Sequence, residues 1–305
     1  MTDWRPVATF DSLRQRARMV QQIRAFFEAR NVLEVSTPII TRAGITDPNI
    51  DSLALACNNG YLRTSPEYAH KRLLAAGFGD LFELGPVFRA NENGQLHRSE
   101  FTLLEWYRVD WSWQQLAEEV VALIRQCLPE DESWQKPPRF LPWRESFERL
   151  DPLTCTDRHL RELTPTLSPD CDRDMRLDYL FATTIQPSFP DRTMTVVHGY
   201  PASQAALARL DPADPRLAER FEVFFGPIEL ANGYRELTAE PEQRRRFEQD
   251  NARRKTLGRP RMPLDEHLLA ALRQGLPECS GVAMGVDRLF MAATGSKDIA
   301  EVVAF

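Results

Sequence analysis

Between Leu81 and Tyr107 the chain reads LFELGPVFRANENGQLHRSEFTLLEWY, and this stretch restricts the fold more than any other. Its first arm, Leu81–Arg89, is short, apolar and interrupted by Gly85-Pro86. Its second arm, Glu100–Val109, alternates, so that Phe101, Leu103, Glu105, Tyr107 and Val109 fall on one face of a strand. The middle is polar, rich in Asn, Glu, Gly, Gln and His. Two such arms predict an antiparallel hairpin with Arg89 at the end of one strand and Phe101 at the start of the next. A guanidinium fork there suits a phosphate, and an aromatic face suits a base. Glu105 and Tyr107 lie farther along the same face, where a pocket beside a nucleotide would form. The same pattern is also that of an ordinary half-buried hairpin.

The chain has 305 residues, enough for one large domain or two small ones. A net charge of -6 excludes a general basic field for nucleic acid. Cys57, Cys127, Cys155, Cys171 and Cys279 are scattered and form no CxxC pair. That spacing argues against a structural zinc site or a disulfide framework and favours a reducing cytoplasm. The opening MTDWRPVATF does not have the pattern of a signal peptide, and no apolar run reaches the roughly 20 residues of a membrane span. No membrane partner is expected.

In chain order, Ser12 and Gln15 form a capping-box pattern ahead of a helix that runs to about Asn31. Val32–Val35 reads as a short strand stopped by Thr37-Pro38. After an irregular stretch and a strand at Tyr61–Arg63, Ser65 caps a helix with Pro66 at its first position. Glu67 then either favours the helix dipole or faces a cationic substrate. Ser112 and Gln115 repeat the capping box before a helix to about Leu128. An insertion is expected at about 129–190; its Trp134, Phe140, Trp143 and Phe147 predict that it packs. Farther on, Phe221–Leu237 contains Glu229, the turn pair Asn232-Gly233 and Glu236. Carboxylates flanking a turn can hold Mg2+ or an ammonium, and can equally be solvent-facing acids. Residues 240–257 read as a charged, solvated helix. The last rich stretch, CSGVAMGVDRLFMAATG, reads as a glycine-rich strand and a helix, with Asp287-Arg288 at their junction.

In order, the helix–strand–Pro38 segment, the Arg89 hairpin and GVAMGVDRLFM resemble the three signature motifs of class II aminoacyl-tRNA synthetases. TSPEY, HRSEFTLLEWY and IELANGYREL look like the lysyl branch. The resemblance runs from about residue 12 to residue 296. It implies an α+β fold, an antiparallel sheet flanked by helices, and a homodimer formed through the first motif. Only about a dozen residues precede the first helix, and nothing of domain size follows Arg288. Residues 1–305 are therefore expected to be a single catalytic domain without an anticodon-binding OB-fold. In this the chain is similar to the elongation factor P–(R)-β-lysine ligase family, truncated relatives of lysyl-tRNA synthetase.

That resemblance implies ATP and Mg2+ as cofactors, (R)-β-lysine as substrate and elongation factor P as partner, with no stable tRNA binding. It implies catalytic roles for Arg89 and Arg288. ATP would also meet Ala90, Asn91, Glu92, His97, Arg98, Phe101, Glu229, Leu230 and Gly285. Ser65, Pro66, Glu67, Glu105, Tyr107, Glu236 and Ala283 would form the substrate pocket, and Glu229 and Glu236 would serve the metal. Ala283 stands where lysyl-tRNA synthetases carry glycine, which favours β-lysine over α-lysine. The hairpin departs from the family's FRNEE and HNPEF at Asn91 and Arg98. Two other readings are a tRNA-charging enzyme whose anticodon domain is a separate chain, and a catalytically silent regulatory paralogue.

Overall fold

The computed structural model describes residues 4–56, 60–128, 132–148 and 150–305; Cys57 and the start of the expected insertion lie outside them. The chain begins with α1 (Phe10–Glu28), β1 (Leu33–Glu34), β2 (Ile40–Thr41), β3 (Ala54–Leu55), β4 (Gly60–Leu62) and α2 (Glu67–Ala75). The hairpin follows as β5 (Leu81–Phe88) and β6 (Glu100–Val109), and then comes α3 (Trp113–Cys127). The next segment carries α4 (Glu132–Gln135), β7 (Arg139–Pro142), α5 (Trp143–Ser146), α6 (Asp157–Leu163) and α7 (Arg173–Leu180). The remainder is β8 (Met194–Pro201), β9 (Leu217–Phe225), β10 (Ile228–Arg235), α8 (Glu240–Thr256), α9 (Glu266–Gly275), β11 (Cys279–Gly285) and α10 (Val286–Thr294).

Eight strands form one sheet in the order β1-β5-β6-β11-β10-β9-β8-β7. The six central strands are antiparallel, as expected, but β1 and β7 each pair in parallel at an edge, so the sheet is mixed. One face is covered by α1, α3 and α10, where Phe27 stacks on Phe82 at 4.4 Å and Trp106 is fully buried. The other face is open at its centre. On one side of it α2, α8 and α9 pack through Leu74, Phe247 and Leu272. On the other, the described part of the expected insertion packs through Trp143, Phe147 and Phe181 against Phe224. Trp134, Trp143 and Phe147 thus bury as expected, and Phe140 stays exposed.

Two local readings are corrected. The N-cap of α1 is Thr9, whose side chain accepts the Ser12 N–H, so Ser12 lies inside the helix. More consequentially, Asn232-Gly233 is not a turn. Both residues lie within β10 and pair with β9 and β11. Gly233 is required because a Cβ there would come within 2.7 Å of both Phe221 and Val282. The capping box at Ser112 and Gln115 forms as expected.

Candidate active site

The alternation of β6 places Phe101, Leu103, Glu105 and Tyr107 on the open face. Across the ladder β11 sets Gly285 opposite Leu103, Ala283 opposite Glu105 and Gly281 opposite Tyr107. On the next strand, Asn232 and Tyr234 face Ala283 and Gly281. Strand parity alone would turn Glu229 to the opposite face. A bulge between Glu229 and Ala231 re-aims it, so that Glu229 stands opposite Phe224, on the side of Asn232 and Tyr234. These residues line a cavity of about 520 Å3 that joins two chemically distinct ends.

Guanidinium groups dominate the first end. Arg89 leaves the tip of β5, with its guanidinium 5.1 Å from the Phe101 ring and 3.7 Å from Glu92. Arg288 occupies the first turn of α10, 3.5 Å from the Glu229 carboxylate and in contact with His97. Burial and the Arg288 charge lower the His97 pKa. The neighbouring Asp287 fixes that turn. Its carboxylate accepts from Arg16 at 2.7 Å and from the Thr102 N–H at 2.8 Å, which ties α10 to the start of β6. Arg98 bonds the main-chain oxygen of Phe305 and still lines the cavity. Leu230 and Gly285 line it as well.

Two of the residues expected around ATP are not part of the cavity wall. The Ala90 N–H donates to the Asp51 carbonyl at 2.8 Å. Asn91, at φ +63°, is exposed and reaches Asp51 at 3.4 Å. Neither side chain lines the cavity.

Carboxylates dominate the second end. Glu67, in the first turn of α2, accepts the Tyr234 hydroxyl at 2.9 Å. One turn on, the fully buried Lys71 places Nζ 2.7 Å from Glu67 and 2.6 Å from Glu236. Burial opposes its charge, but the two carboxylates outweigh burial and raise its pKa. The Tyr107 hydroxyl donates to Glu105 at 2.9 Å. Gly281 leaves room for Glu236 and Tyr107: a Cβ there would stand 2.4 Å from the Glu236 carboxylate and from the Tyr107 ring. Pro66, and not Ser65, is the N-cap of α2, which begins at Glu67 and has no side-chain cap; Ser65 lines this end and accepts weakly from the Glu67 N–H at 3.4 Å, whereas Pro66 is buried outside the cavity wall.

The expected pairing of Glu229 with Glu236 on a metal is corrected. They sit at opposite ends of β10, about 20 Å apart at strand rise. Glu236 is committed to Lys71. Among the described residues no group of three or more His, Cys, Asp or Glu is arranged to hold a metal ion.

The model for class II tRNA synthetases of the D, K and N type matches residues 1–305. An elongation factor P–(R)-β-lysine ligase of Vibrio cholerae is 44% identical, with 100% of this chain and 98% of the relative aligned. Enzymes of the same name from Salmonella arizonae and Proteus mirabilis are 43% and 42% identical, covering 97% and 98% of their own lengths. The chain belongs to the elongation factor P–(R)-β-lysine ligase family. The class II fold expected from the three motifs is its fold.

Several cavity and support residues of this ligase-family member escaped the sequence reading. Lys71 was detectable as the i+4 partner of Glu67, a spacing that puts both on one helix face. Tyr234 was detectable two residues before Glu236 on the same strand face. Arg63, Glu83 and His70 gave no local signal; they meet only when α2 lies across β5. The far wall gave none either. There the Tyr200 hydroxyl and Arg220 bond Glu222 at 2.7 and 2.6 Å. Burial raises Glu222 to about 7, against the pull of Arg220.

Proposed function

We propose that this chain activates (R)-β-lysine with ATP and transfers it to a lysine side chain of elongation factor P. The observation that carries the reading is one cavity with arginines at one end and a carboxylate pocket at the other. A β-amino acid presents matching groups, a carboxylate and ammoniums. Its carboxylate attacks the α-phosphorus of ATP, forming a C–O–P bond and expelling pyrophosphate. The nucleophile is already an anion, so the step needs positioning and charge neutralisation more than a strong base. Arg89 neutralises the α-phosphate and the incoming carboxylate. Phe101 stacks on the adenine, and Arg288 turns from Glu229 toward the triphosphate. Glu92, His97, Arg98, Leu230 and Gly285 complete the nucleotide end.

At the other end Glu67, Glu105 and Glu236 gather three carboxyl groups around the ammonium of Lys71. Their oxygens suit the substrate ammonium, with Tyr107 and Ser65 beside it; a buried cation without such partners would be strongly disfavoured. In the second step the neutral acceptor amine attacks the carbonyl of the mixed anhydride. An amide forms as the nitrogen gives up a proton to solvent, the C–O bond to phosphate breaks and AMP leaves.

A magnesium ion fits only as a companion of the nucleotide. Mg2+ commonly takes one or two carboxylates together with substrate phosphates, and Glu229 is the carboxylate so placed. When bound, it adds positive charge to the phosphates.

We further propose a homodimer, because Trp4, Val7, Phe10, Leu33, Ile39 and Ile40 leave apolar surface exposed along the first motif. Residues 1–305 act as one catalytic domain in the cytoplasm, and tRNA binds weakly at physiological salt. No helix among the described residues is long and apolar enough to cross a membrane. ATP–pyrophosphate exchange dependent on β-lysine tests the activation step.

A further inference from the structure

His70 lies on α2 behind the carboxylate pocket and is completely buried. Its Nε2 hydrogen-bonds Glu83 Oε2 at 3.0 Å, and its Nδ1, which has no hydrogen-bond partner, lies within ion-pair reach of Glu105 Oε1 at 3.4 Å. The ring also meets the Tyr107 ring edge-on at 5.5 Å. Glu83 is held as a carboxylate from other sides: Arg63 donates at 2.6 Å and the Thr37 hydroxyl at 2.7 Å. An acceptor-only Glu83 requires a proton on Nε2. The remaining nitrogen decides what Glu105 faces. Protonated, Nδ1 offers Glu105 a donor. Unprotonated, it turns a lone pair toward an oxygen that already accepts from Tyr107.

We infer that His70 is a positioning residue for substrate recognition: as a doubly protonated ring clamped between Glu83 and Glu105, it holds Glu105 in place to receive the substrate ammonium. The inference rests on the proposed ligase reading, which supplies that ammonium. The groups around the ring favour the protonated form. Glu67 and Lys71 lie on α2 itself, Glu83 on β5, Glu105 and Tyr107 on β6, and Tyr234 and Glu236 come from β10 and its end. Lys71 is balanced by Glu67 and Glu236, and Arg63 is spent on Glu83. The ring therefore stands between two carboxylates with no unbalanced cation beside it. Burial works against its charge, yet Glu105 and Glu83 raise its pKa above the ordinary histidine value.

Loss of the proton as pH rises turns Nδ1 from donor to acceptor and repels the Glu105 oxygen. The KM for β-lysine should then increase while kcat stays level, because the lost contact concerns binding of the ammonium and not the phosphoryl step. His70→Gln retains a donor and an acceptor of similar reach but does not titrate.

The test is β-lysine-dependent pyrophosphate exchange between pH 6 and 9 with the wild-type protein, His70→Gln and His70→Met. The wild-type KM should rise about tenfold across the titration, the scale of one hydrogen bond to a charged group. His70→Gln should show a flat KM, and His70→Met a KM raised at every pH. A folded His70→Gln protein that keeps the wild-type pH profile overturns the inference, as does a wild-type KM that does not change. Absence of wild-type exchange at any pH would instead overturn the ligase reading. If the variants do not fold, the 15N shifts of the His70 ring decide in the wild-type protein. Two protonated nitrogens at pH 7 support the assignment, and a neutral ring contradicts it.

Discussion

Lys71 Nζ stands 2.6 Å from Glu236 Oε2, so the pocket proposed for a substrate ammonium already encloses one ammonium of the protein's own. The lysine is fully buried and also reaches Glu67, which fastens α2 to the end of β10. Without it two buried carboxylates would face each other uncompensated. Lys71→Met should therefore lower stability by about 3–5 kcal/mol, the usual cost of breaking a buried pair from one side. Urea unfolding measures this. A loss below about 1 kcal/mol would mean the pair contributes no more than a surface contact.

Glu83 is held at about 2: burial raises its pKa, but His70, Thr37 and Arg63 together outweigh burial. Its folded value lies below its ordinary 4.5. The stability it contributes is thus fully present above about pH 4.5 and is lost as pH falls through about 2. The linked amount is about 3 kcal/mol. Unfolding midpoints measured from pH 6 to 2 should fall steeply for the wild-type protein. Glu83→Gln should be less stable at pH 6, with a shallower acid slope.

Arg89 projects from the end of β5 over the Phe101 ring, where it is proposed to meet the α-phosphate. Arg89→Ala should cut pyrophosphate exchange by about 10²–10³-fold, the effect of removing one charge-stabilising donor worth roughly 3–4 kcal/mol. Exchange near the wild-type rate in a folded variant would remove Arg89 from the reaction.

Ala283 sits between Glu105 and Asn232 across the ladders, on the pocket wall. Its methyl is proposed to disfavour α-lysine, whose amine lies one carbon nearer the carboxylate. Ala283→Gly should raise kcat/KM for α-lysine relative to β-lysine by roughly 10-fold, within the range of a single methyl in a pocket. An unchanged ratio would shift the source of selectivity elsewhere.

The hairpin was legible because its cause is local. Alternation along β6 alone puts Phe101, Glu105 and Tyr107 on one face, and the ladder keeps them there. The Ser112 cap was legible for the same reason. Asn232-Gly233 misled because the local turn signal was real, while the need for glycine came from Phe221 and Val282 on neighbouring strands. Glu229 reached the cavity only through a bulge, which no periodicity announces. Lys71 and His70 meet Glu236 and Glu83 only when α2 is laid over the sheet, and no local pattern in the helix announces those partners. Ala90 and Asn91 stand off the cavity wall because the hairpin loop pairs with Asp51, a partner some forty residues distant in the chain.

The central claim is the acceptor. Elongation factor P and tRNA, offered together at equal concentration with ATP and radiolabelled (R)-β-lysine, test it directly. The account predicts label on a lysine of elongation factor P, seen as the added mass of one β-lysyl group, and none above background on tRNA. Label on tRNA with elongation factor P left unmodified would contradict it.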